Sequence, residues 1–417
     1  MKSVVSASAY RRLVLLNILF LSEEPLAKRE LAELAGCSLN TMKADIEVIN
    51  SIFPEQIGHI YDKDKKYVLV TAPSVNFDYL TAYMIATSDL FTLSLSIFKD
   101  EKLTPAEWTA RTYIGMTSFY NKLKEADTFL ANSRLILDNS PLQILGNEMN
   151  IRFYFFHLFS KSYPHSGWVI EDFDYESMDR FIRKLEDHLD ISFSLTARVD
   201  YAIAIGVSLT RIKQGYLADL TDERDYMEDL ESYYDATHLD FGDLEKDLGQ
   251  PLSKVERHLI LLLCSLGSFS YTDHSRIDFR MAYHKKYRNE RYQLGNELSD
   301  IIRSRVKDPD QVTVVTLDYL THFTFVEKKH LIMDVDHFTQ QKLPKTVDMD
   351  RILAVLAKYE RHPGYTYIRN NKDVIASYIH DLYTFVLLNE EEGHRLHVRV
   401  VAKNGYFWEV FFEIPNS

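Results

Sequence analysis

Between residues 31 and 50 the apolar positions follow two short helical repeats that are separated by a glycine. The first repeat places small and apolar side chains on one helical face, at Leu31, Ala32, Leu34 and Ala35. The second repeat has apolar residues at three- and four-residue steps, at Leu39, Met42, Ile46 and Ile49. Gly36 can adopt the positive φ that a sharp turn needs, and Ser38 can cap the second helix. This pattern predicts a helix-turn-helix.

The opposite face of the second predicted helix is polar and carries short side chains. It presents Ser38, Asn40, Thr41, Lys43 and Ala44, followed by Glu47. A recognition helix enters the major groove of DNA with its first residues, so we predict DNA contacts here. Asn40 suits adenine, Thr41 a methyl group or a phosphate, and Lys43 a guanine or a phosphate. An ordinary helical hairpin is the alternative.

A polar turn follows, and the alternating apolar residues on both sides of it are typical of a β-hairpin. Residues 57–61 and 67–70 are the two extended runs, joined by residues 62–66. Lys63, Lys65 and Lys66 in this turn suit contacts with DNA phosphates. A lysine-rich hairpin tip also protects an exposed edge from aggregation, so both interpretations stay open. Together with the helices before it, the hairpin predicts a winged helix-turn-helix.

The same order of elements returns over residues 74–149. The apolar-rich segment at residues 77–98 predicts a helix. Another helix is predicted to begin at Pro105, with Thr104 as its N-cap and the proline at the first helical position. A glycine turn at Gly115, a hydroxyl-capped helix from residue 117, and a second wing over residues 134–137 and 142–145 follow. The outward side of the second helix offers four more candidate DNA contacts, namely Ser118, Asn121, Lys122 and Lys124. A structural helical bundle with a hairpin is the alternative.

The rest of the chain, up to residue 389, consists mostly of amphipathic segments at helical spacing. The clearest are residues 182–189, 195–212, 255–266, 293–306, 314–325 and 374–388. They predict two stacked helical domains, and the acidic residues 222–247 with a Gly-Gln-Pro run at 249–251 mark the boundary between them. Helical bundles of many functions fit this pattern.

Composition supports a helix-rich globular chain with three or four domains. The 417 residues are 46% hydrophobic and 13% aromatic, with 14 Gly and 11 Pro, which excludes a disordered or collagen-like chain. The two cysteines, Cys37 and Cys264, are far apart and lack metal spacing, which favours a reducing cytoplasm. The basic and apolar run at residues 11–21 is too short to span a membrane and lacks a cleavage site. We interpret it as the first helix of the domain.

The net charge of −13 argues at first against a nucleic-acid partner, but the acid is concentrated in the C-terminal part. Residues 1–160 carry 16 Lys+Arg and 18 Asp+Glu, and the remaining residues carry a net charge of −11. A nearly neutral N-terminal part would bind double-stranded DNA through local patches, with modest and salt-sensitive affinity. Two copies together would double those contacts, so we expect a homodimer.

The most specific motif is the run LQILGNEMNIRFY at residues 142–154. A strand followed by Gly-x-Glu-x-x-(apolar)-Arg resembles the end of the second winged unit in the Mga, AtxA and RofA-like virulence regulators of Gram-positive bacteria. Gly146 would let the backbone leave the wing, and Glu148 and Arg152 could pair across one helical turn. We interpret these residues as a structural hinge rather than a ligand site.

The resemblance covers nearly the whole chain and implies its architecture. The implied fold is mainly α, with tandem winged helix-turn-helix units at residues 1–73 and 74–149. Two helical phosphotransferase-system regulation domains (PRDs) follow at residues 150–247 and 248–393. For residues 394–417 the resemblance implies a short C-terminal β segment, either the start of an EIIB-like domain or the last strands of the second PRD.

Family PRDs are phosphorylated on histidines by the sugar phosphotransferase system, so the resemblance implies phosphodonor proteins of that system as partners. Aligning residues 191–201 with residues 313–323 places Asp200 opposite His322, which makes His322 the first candidate. The first PRD departs from the family pattern at Asp200. The remaining candidates are His157, His188, His258 and His380.

Positive signs of catalysis, of a metal site or of a cofactor are missing from the sequence. His394 and His397 are three residues apart, but no third soft ligand follows. Gly-x-Ser-x-Gly, catalytic-cysteine and Walker motifs are absent. We therefore expect a cytoplasmic DNA-binding transcriptional regulator without a membrane partner, and not an enzyme. An RNA-binding PRD antiterminator is the alternative, and a phosphocarrier of the sugar phosphotransferase system is a third.

Overall fold

The computed structural model describes residues 6–22, 24–131, 134–219, 238–264, 269–287, 289–325, 347–361 and 365–391. Within these residues the chain forms two compact units, which divide between residues 169 and 170. Both are mainly helical, which confirms the predicted fold class. No single helix in the described ranges is long and apolar enough to cross a bilayer. The helices at residues 77–86 and 89–98 reach that length only as a pair, which is bent by 66°.

The first unit opens with a helix-turn-helix and a three-stranded sheet. Its elements are α1 (Ala7–Leu21), β1 (Leu26–Ala27), α2 (Lys28–Leu34), α3 (Leu39–Ile52), β2 (Gly58–Lys63) and β3 (Lys66–Thr71). The strands are antiparallel in the order β1-β3-β2, and Ile60 lies opposite Leu69. The predicted first helix, helix-turn-helix and hairpin are confirmed. Strand β1 is not predicted from the sequence, because a strand of two residues is too short to show a periodic pattern.

A second series of helices and a second hairpin complete this unit. The elements are α4 (Phe77–Ala86), α5 (Asp89–Phe98), α6 (Pro105–Thr112), α7 (Met116–Leu130), β4 (Ile136–Asn139), β5 (Leu142–Leu145) and α8 (Glu148–Ser166). The single helix predicted over residues 77–98 is wrong. Ser88 accepts a hydrogen bond from the Phe91 N–H at 3.1 Å and thereby caps a new helix, α5.

Aromatic packing between α5 and α8 forms the core of this second half. The Phe98 ring centroid lies 5.0 Å from that of Phe155 and 4.9 Å from that of Phe159. Such pairs contribute about 0.5–1.5 kcal/mol beyond the burial of their area. Helix α8 also packs along α4, so it belongs to the first unit. The predicted domain limit after residue 149 therefore falls within the first turn of α8.

The second unit is a helical body with one short pair of strands. Its elements are α9 (Tyr175–Leu189), β6 (Ile191–Phe193), α10 (Leu195–Lys213), α11 (Gly242–Leu248), α12 (Lys254–Cys264), β7 (Phe269–Tyr271), α13 (His274–Tyr287), α14 (Asn289–Ser299), a 3-10 turn (Arg303–Arg305), α15 (Pro309–Phe325), α16 (Met349–Tyr359) and α17 (Thr366–Glu391). Each predicted helical segment is confirmed within the described residues, except that the segment at residues 293–306 ends at Ser299.

Contacts cross the limit predicted between residues 247 and 248. Strand β6 pairs with β7, with Phe193 opposite Phe269. The Tyr201 hydroxyl of α10 donates to the Ile260 carbonyl of α12 at 2.9 Å. Helices on both sides of the predicted limit therefore share one compact unit, and the limits of the two PRDs stay predictions.

The internal alignment that selected His322 does not hold along its length. Residues 191–193 form a strand, whereas residues 313–315 lie inside α15. Asp200 lies in α10 and His322 in the last turn of α15, where its side chain falls outside the described residues. Two of the rival histidines, His157 and His258, are buried. Residues 394–417, with the predicted β segment, also lie outside the described residues.

Candidate nucleic-acid interface

The turn between α2 and α3 has the geometry that the sequence predicts. Gly36 has a φ of +62°, a left-handed conformation that glycine adopts without steric cost. Ser38 is the N-cap of α3, and its side chain accepts a hydrogen bond from the Thr41 N–H at 3.1 Å. The Ser38 and Thr41 hydroxyls also lie 2.8 Å apart, so the cap engages both of them. Of the predicted contacts, these two are therefore the less free to bind a base.

The two faces of α3 differ clearly in exposure. Buried side chains form the inner face at Met42, Ile46 and Ile49, and Leu39 is half-buried. The outer face exposes Asn40, Lys43, Ala44 and Glu47, whereas Thr41 is half-buried. In α2 Leu31 and Ala32 of the apolar face are buried, whereas Leu34, the last residue of this short helix, is 58% exposed.

An ion pair that the sequence analysis missed fixes α3 to α1. Asp45 is buried, and its carboxylate accepts from Arg11 Nε at 2.5 Å and from Arg12 Nε at 3.0 Å. The hydrogen bond with Asp45 raises the pKa of Arg11. Asp45 lies one residue before Ile46 on the inner face, and an acid at an inward position is a signal for a buried partner. This clamp sets the orientation of the outer face.

A second missed side chain joins α3 to the wing. Asn50 Nδ2 donates to the Ile60 carbonyl at 2.9 Å, and its Oδ1 accepts from the Ile60 N–H at 2.8 Å. Ile60 lies in β2. The side-chain amide of Asn50 therefore pairs both the N–H and the C=O of Ile60 on the side of that strand that faces α3. The wing and the recognition helix are thereby held together.

The first wing ends in a tight turn with exposed cations. Asp64 and Lys65 have φ values of 52° and 66°, which is the conformation of a two-residue type I′ hairpin. Lys63 and Lys66 flank the turn, and all three lysines are exposed. Asp62, at the base of the turn, forms an ion pair with Lys28 of α2. The wing therefore presents three ammonium groups beside the recognition helix.

The second helix-turn-helix differs from the prediction in its turn. The left-handed residue is Tyr113, with a φ of 56°, and not Gly115. Helix α7 begins at Met116, and the Phe119 N–H bonds to the Gly115 carbonyl at 3.0 Å. The predicted hydroxyl cap is therefore wrong, because Thr117 already lies within the first turn.

The four contacts predicted on α7 are all exposed, but Lys122 already has an ion-pair partner. Ser118, Asn121, Lys122 and Lys124 all face outward. Lys122 forms an ion pair with Asp89 at the start of α5. This partner lies 33 residues earlier in the chain, so a local sequence pattern could not identify it. Lys122 is therefore less available to a phosphate than the prediction assumed.

The second wing is present, but its first strand lies two residues later than predicted, at Ile136–Asn139 instead of residues 134–137. Strand β4 pairs with β5, and Ile136 lies opposite Leu145 with both side chains exposed. Gly146 has a φ of +151°, and a Cβ there would lie 2.7 Å from Leu135 Cδ2. In the first turn of α8, Arg152 Nε donates to Glu148 Oε1 at 3.2 Å. These contacts support the structural interpretation of the hinge.

Comparison with known proteins assigns both N-terminal domains. The domain described as M protein trans-acting positive regulator (MGA) HTH domain matches residues 10–65. The Mga helix-turn-helix domain matches residues 73–159. The first range contains α2, α3 and strand β2 of the first wing, and the second contains α6, α7 and both strands of the second wing.

Relatives that match about half to 71% of this chain are named as regulators. The capsule synthesis positive regulators AcpB and AcpA of Bacillus anthracis are 24% and 23% identical to it, each over 71% of this chain and 62% of the relative. A putative trans-acting regulator of Streptococcus pneumoniae serotype 4 is 24% identical over 53% of this chain and 44% of its own length. The chain thus spans less than two thirds of the length of these relatives. The matches confirm the resemblance to the Mga/AtxA-like family.

Proposed function

We propose that this chain, which carries the two helix-turn-helix domains of Mga/AtxA-like regulators, is a transcriptional regulator that binds double-stranded promoter DNA. The observation that carries the proposal is the exposed outer face of α3, with Asn40 and Lys43, beside the exposed lysines of the first wing. Helix α3 would make the base-edge contacts, and the lysines of the first wing would make the phosphate contacts. Similar regulators are named positive regulators, so we propose that the chain activates transcription.

The proposal is tested by selection of duplexes from a random DNA library with the full chain. We expect one sequence family to be enriched, and the enriched duplex to bind more tightly than a scrambled duplex. Replacing Asn40, Thr41 and Lys43 together by alanine should remove most of this preference, because the outer face of α3 would no longer contact bases. Absence of enrichment, or an unchanged preference in the triple variant, would contradict the assignment.

The helices of the N-terminal unit also favour DNA binding over the alternative of an RNA-binding antiterminator. RNA is recognised mainly as single strands and loops on aromatic or β-sheet surfaces. A recognition helix beside a basic wing instead fits the major groove of a DNA duplex. Competition of the selected duplex against RNA of the same sequence should leave DNA binding intact.

We further propose that two copies pair and that the PRDs regulate the pairing in the cytoplasm. A homodimer would double the phosphate contacts of a nearly neutral N-terminal part. Phosphorylation of His322 by phosphotransferase-system donors would add negative charge to an acidic part of the chain and loosen an interface that contains it. Sedimentation should find a dimer at tens of micromolar, and mapping of acid-labile phosphate after incubation with the phosphotransfer enzymes should find His322. A strict monomer, or no phosphohistidine, would contradict these two parts separately.

A further inference from the structure

Large side chains surround the start of α7, next to the contacts that the sequence predicts there. Tyr113 is 96% exposed, Met116 41% and Tyr120 47%. Met116 and Tyr120 are four residues apart on α7 and share one face, and Tyr113 lies in the turn just before that helix. We call Tyr113, Met116 and Tyr120 together the α7 aromatic patch, after its two tyrosines.

The backbone of Tyr113 makes its presence there unexpected. Its φ of 56° and ψ of 26° are left-handed, a conformation that is unfavourable for a bulky side chain and easy for glycine. The corresponding turn of the first helix-turn-helix has Gly36 at this position. An aromatic ring that is almost fully exposed gains little from packing. A strained and exposed residue therefore points to a contact with something other than the fold.

Two cations near the patch are paired with acids of the same compact unit. Lys122 is paired with Asp89, and Arg111 Nη1 donates to Glu101 at 2.5 Å. Strands β4 and β5 of the second wing, with the turn between them, contain Asp138 and neither lysine nor arginine, and Arg134 lies just before β4. The first wing instead presents Lys63, Lys65 and Lys66. The second helix-turn-helix thus presents aromatic and uncharged polar groups together with Lys124, where the first presents three wing lysines and Lys43.

We infer that the two helix-turn-helix units contribute differently to DNA binding. The first supplies most phosphate contacts together with the base contacts of α3, and the α7 aromatic patch adds sequence selectivity through apolar contacts with thymine methyl groups and bonds from tyrosine hydroxyls to base edges in the major groove. The occupant is double-stranded DNA, because the patch lies at the start of the second helix in a matched helix-turn-helix domain. The inference rests on the proposed function and adds residues of α7 to those of α3 that discriminate sequences.

Binding of the full chain to the selected duplex and to a scrambled duplex tests this division. Affinity is measured by fluorescence anisotropy between about 50 and 300 mM KCl, where the salt slope counts phosphate contacts. The Y113G/Y120A variant removes both rings, and glycine suits the left-handed turn. The matched control is Y287A, which removes a tyrosine that is also exposed, on α13. The K63A/K65A/K66A variant removes the cations of the first wing.

We expect Y113G/Y120A to lose about tenfold affinity for the selected duplex, to bind the scrambled duplex as before and to keep the salt slope. The wing variant should weaken on both duplexes and lose up to about three units of slope. Equal affinity of Y113G/Y120A and the Y287A control for the selected duplex, or an equal loss on both duplexes, would overturn the inference alone. A wild-type chain that binds neither duplex would overturn the proposed function as well. Thermal unfolding of each variant distinguishes lost contacts from lost folding.

Discussion

Replacing Asn50 by alanine tests whether one side chain holds the first wing on the recognition helix. Asn50 makes both of its hydrogen bonds to the backbone of Ile60, at 2.9 and 2.8 Å. Ile60 is only 3% exposed, so water has little access to the groups that the substitution would leave unpaired. The wing should therefore open more often in the variant.

The expected magnitude follows from these two bonds. Each contributes about 0.5–1.5 kcal/mol, which gives a loss of about 1–3 kcal/mol for Asn50→Ala. Alanine is the better helix former by roughly 0.6 kcal/mol, which offsets part of the loss. We expect the wing to be destabilised by about 1–2 kcal/mol, which corresponds to about 5- to 30-fold more frequent opening.

Hydrogen–deuterium exchange followed by mass spectrometry measures this opening in the full chain, in peptides that cover β2 and β3. Asn40→Ala is the matched control, since it makes the same chemical change on the exposed face of the same helix. We expect faster exchange of the wing in Asn50→Ala alone, and weaker DNA binding without faster exchange in Asn40→Ala. Unchanged exchange in Asn50→Ala, or equally faster exchange in both variants, would refute the reasoning.

Three further predictions concern the hinge at Gly146, stability in acid and the charge of the second helix-turn-helix. Gly146→Ala should lower stability by more than about 1 kcal/mol in thermal unfolding, because the Cβ of alanine would meet Leu135 and the φ of +151° is strained for alanine. An unchanged midpoint would contradict this. Burial lowers the pKa of His284 to about 3, so stability should fall as the pH falls from about 6.5 towards 3, where only the unfolded chain binds this proton. His284→Gln should flatten that dependence in unfolding measured at several pH values. Asp89→Asn should free Lys122 and steepen the salt slope of DNA binding by about one unit, and an unchanged slope would count against the ion pair.

The sequence predicted those parts of the site that depend on neighbouring residues. The glycine turn, the Ser38 cap and the apolar repeat of α3 are all encoded within twenty residues, and the structure has them as predicted. The exposed face with Asn40 and Lys43 follows directly from the burial of the opposite face. Its role in DNA binding remains a prediction.

Contacts between distant residues explain what the sequence left out. Asp45 meets Arg11 and Arg12 across more than thirty residues, and Lys122 meets Asp89 across a similar distance. No local pattern specifies such pairs, although an acid on the inner face of α3 was a signal for the first. The turn before α7 was misplaced because glycine was expected to take the left-handed position that a tyrosine occupies.

DNase I footprinting with the full chain on fragments of native genomic DNA tests the central claim most directly. The account predicts discrete protected sites that are lost when Asn40 and Lys43 are both replaced by alanine and retained when the exposed Tyr287 is replaced. Uniform cleavage at every concentration of a folded wild-type chain would contradict a role in sequence-selective DNA binding.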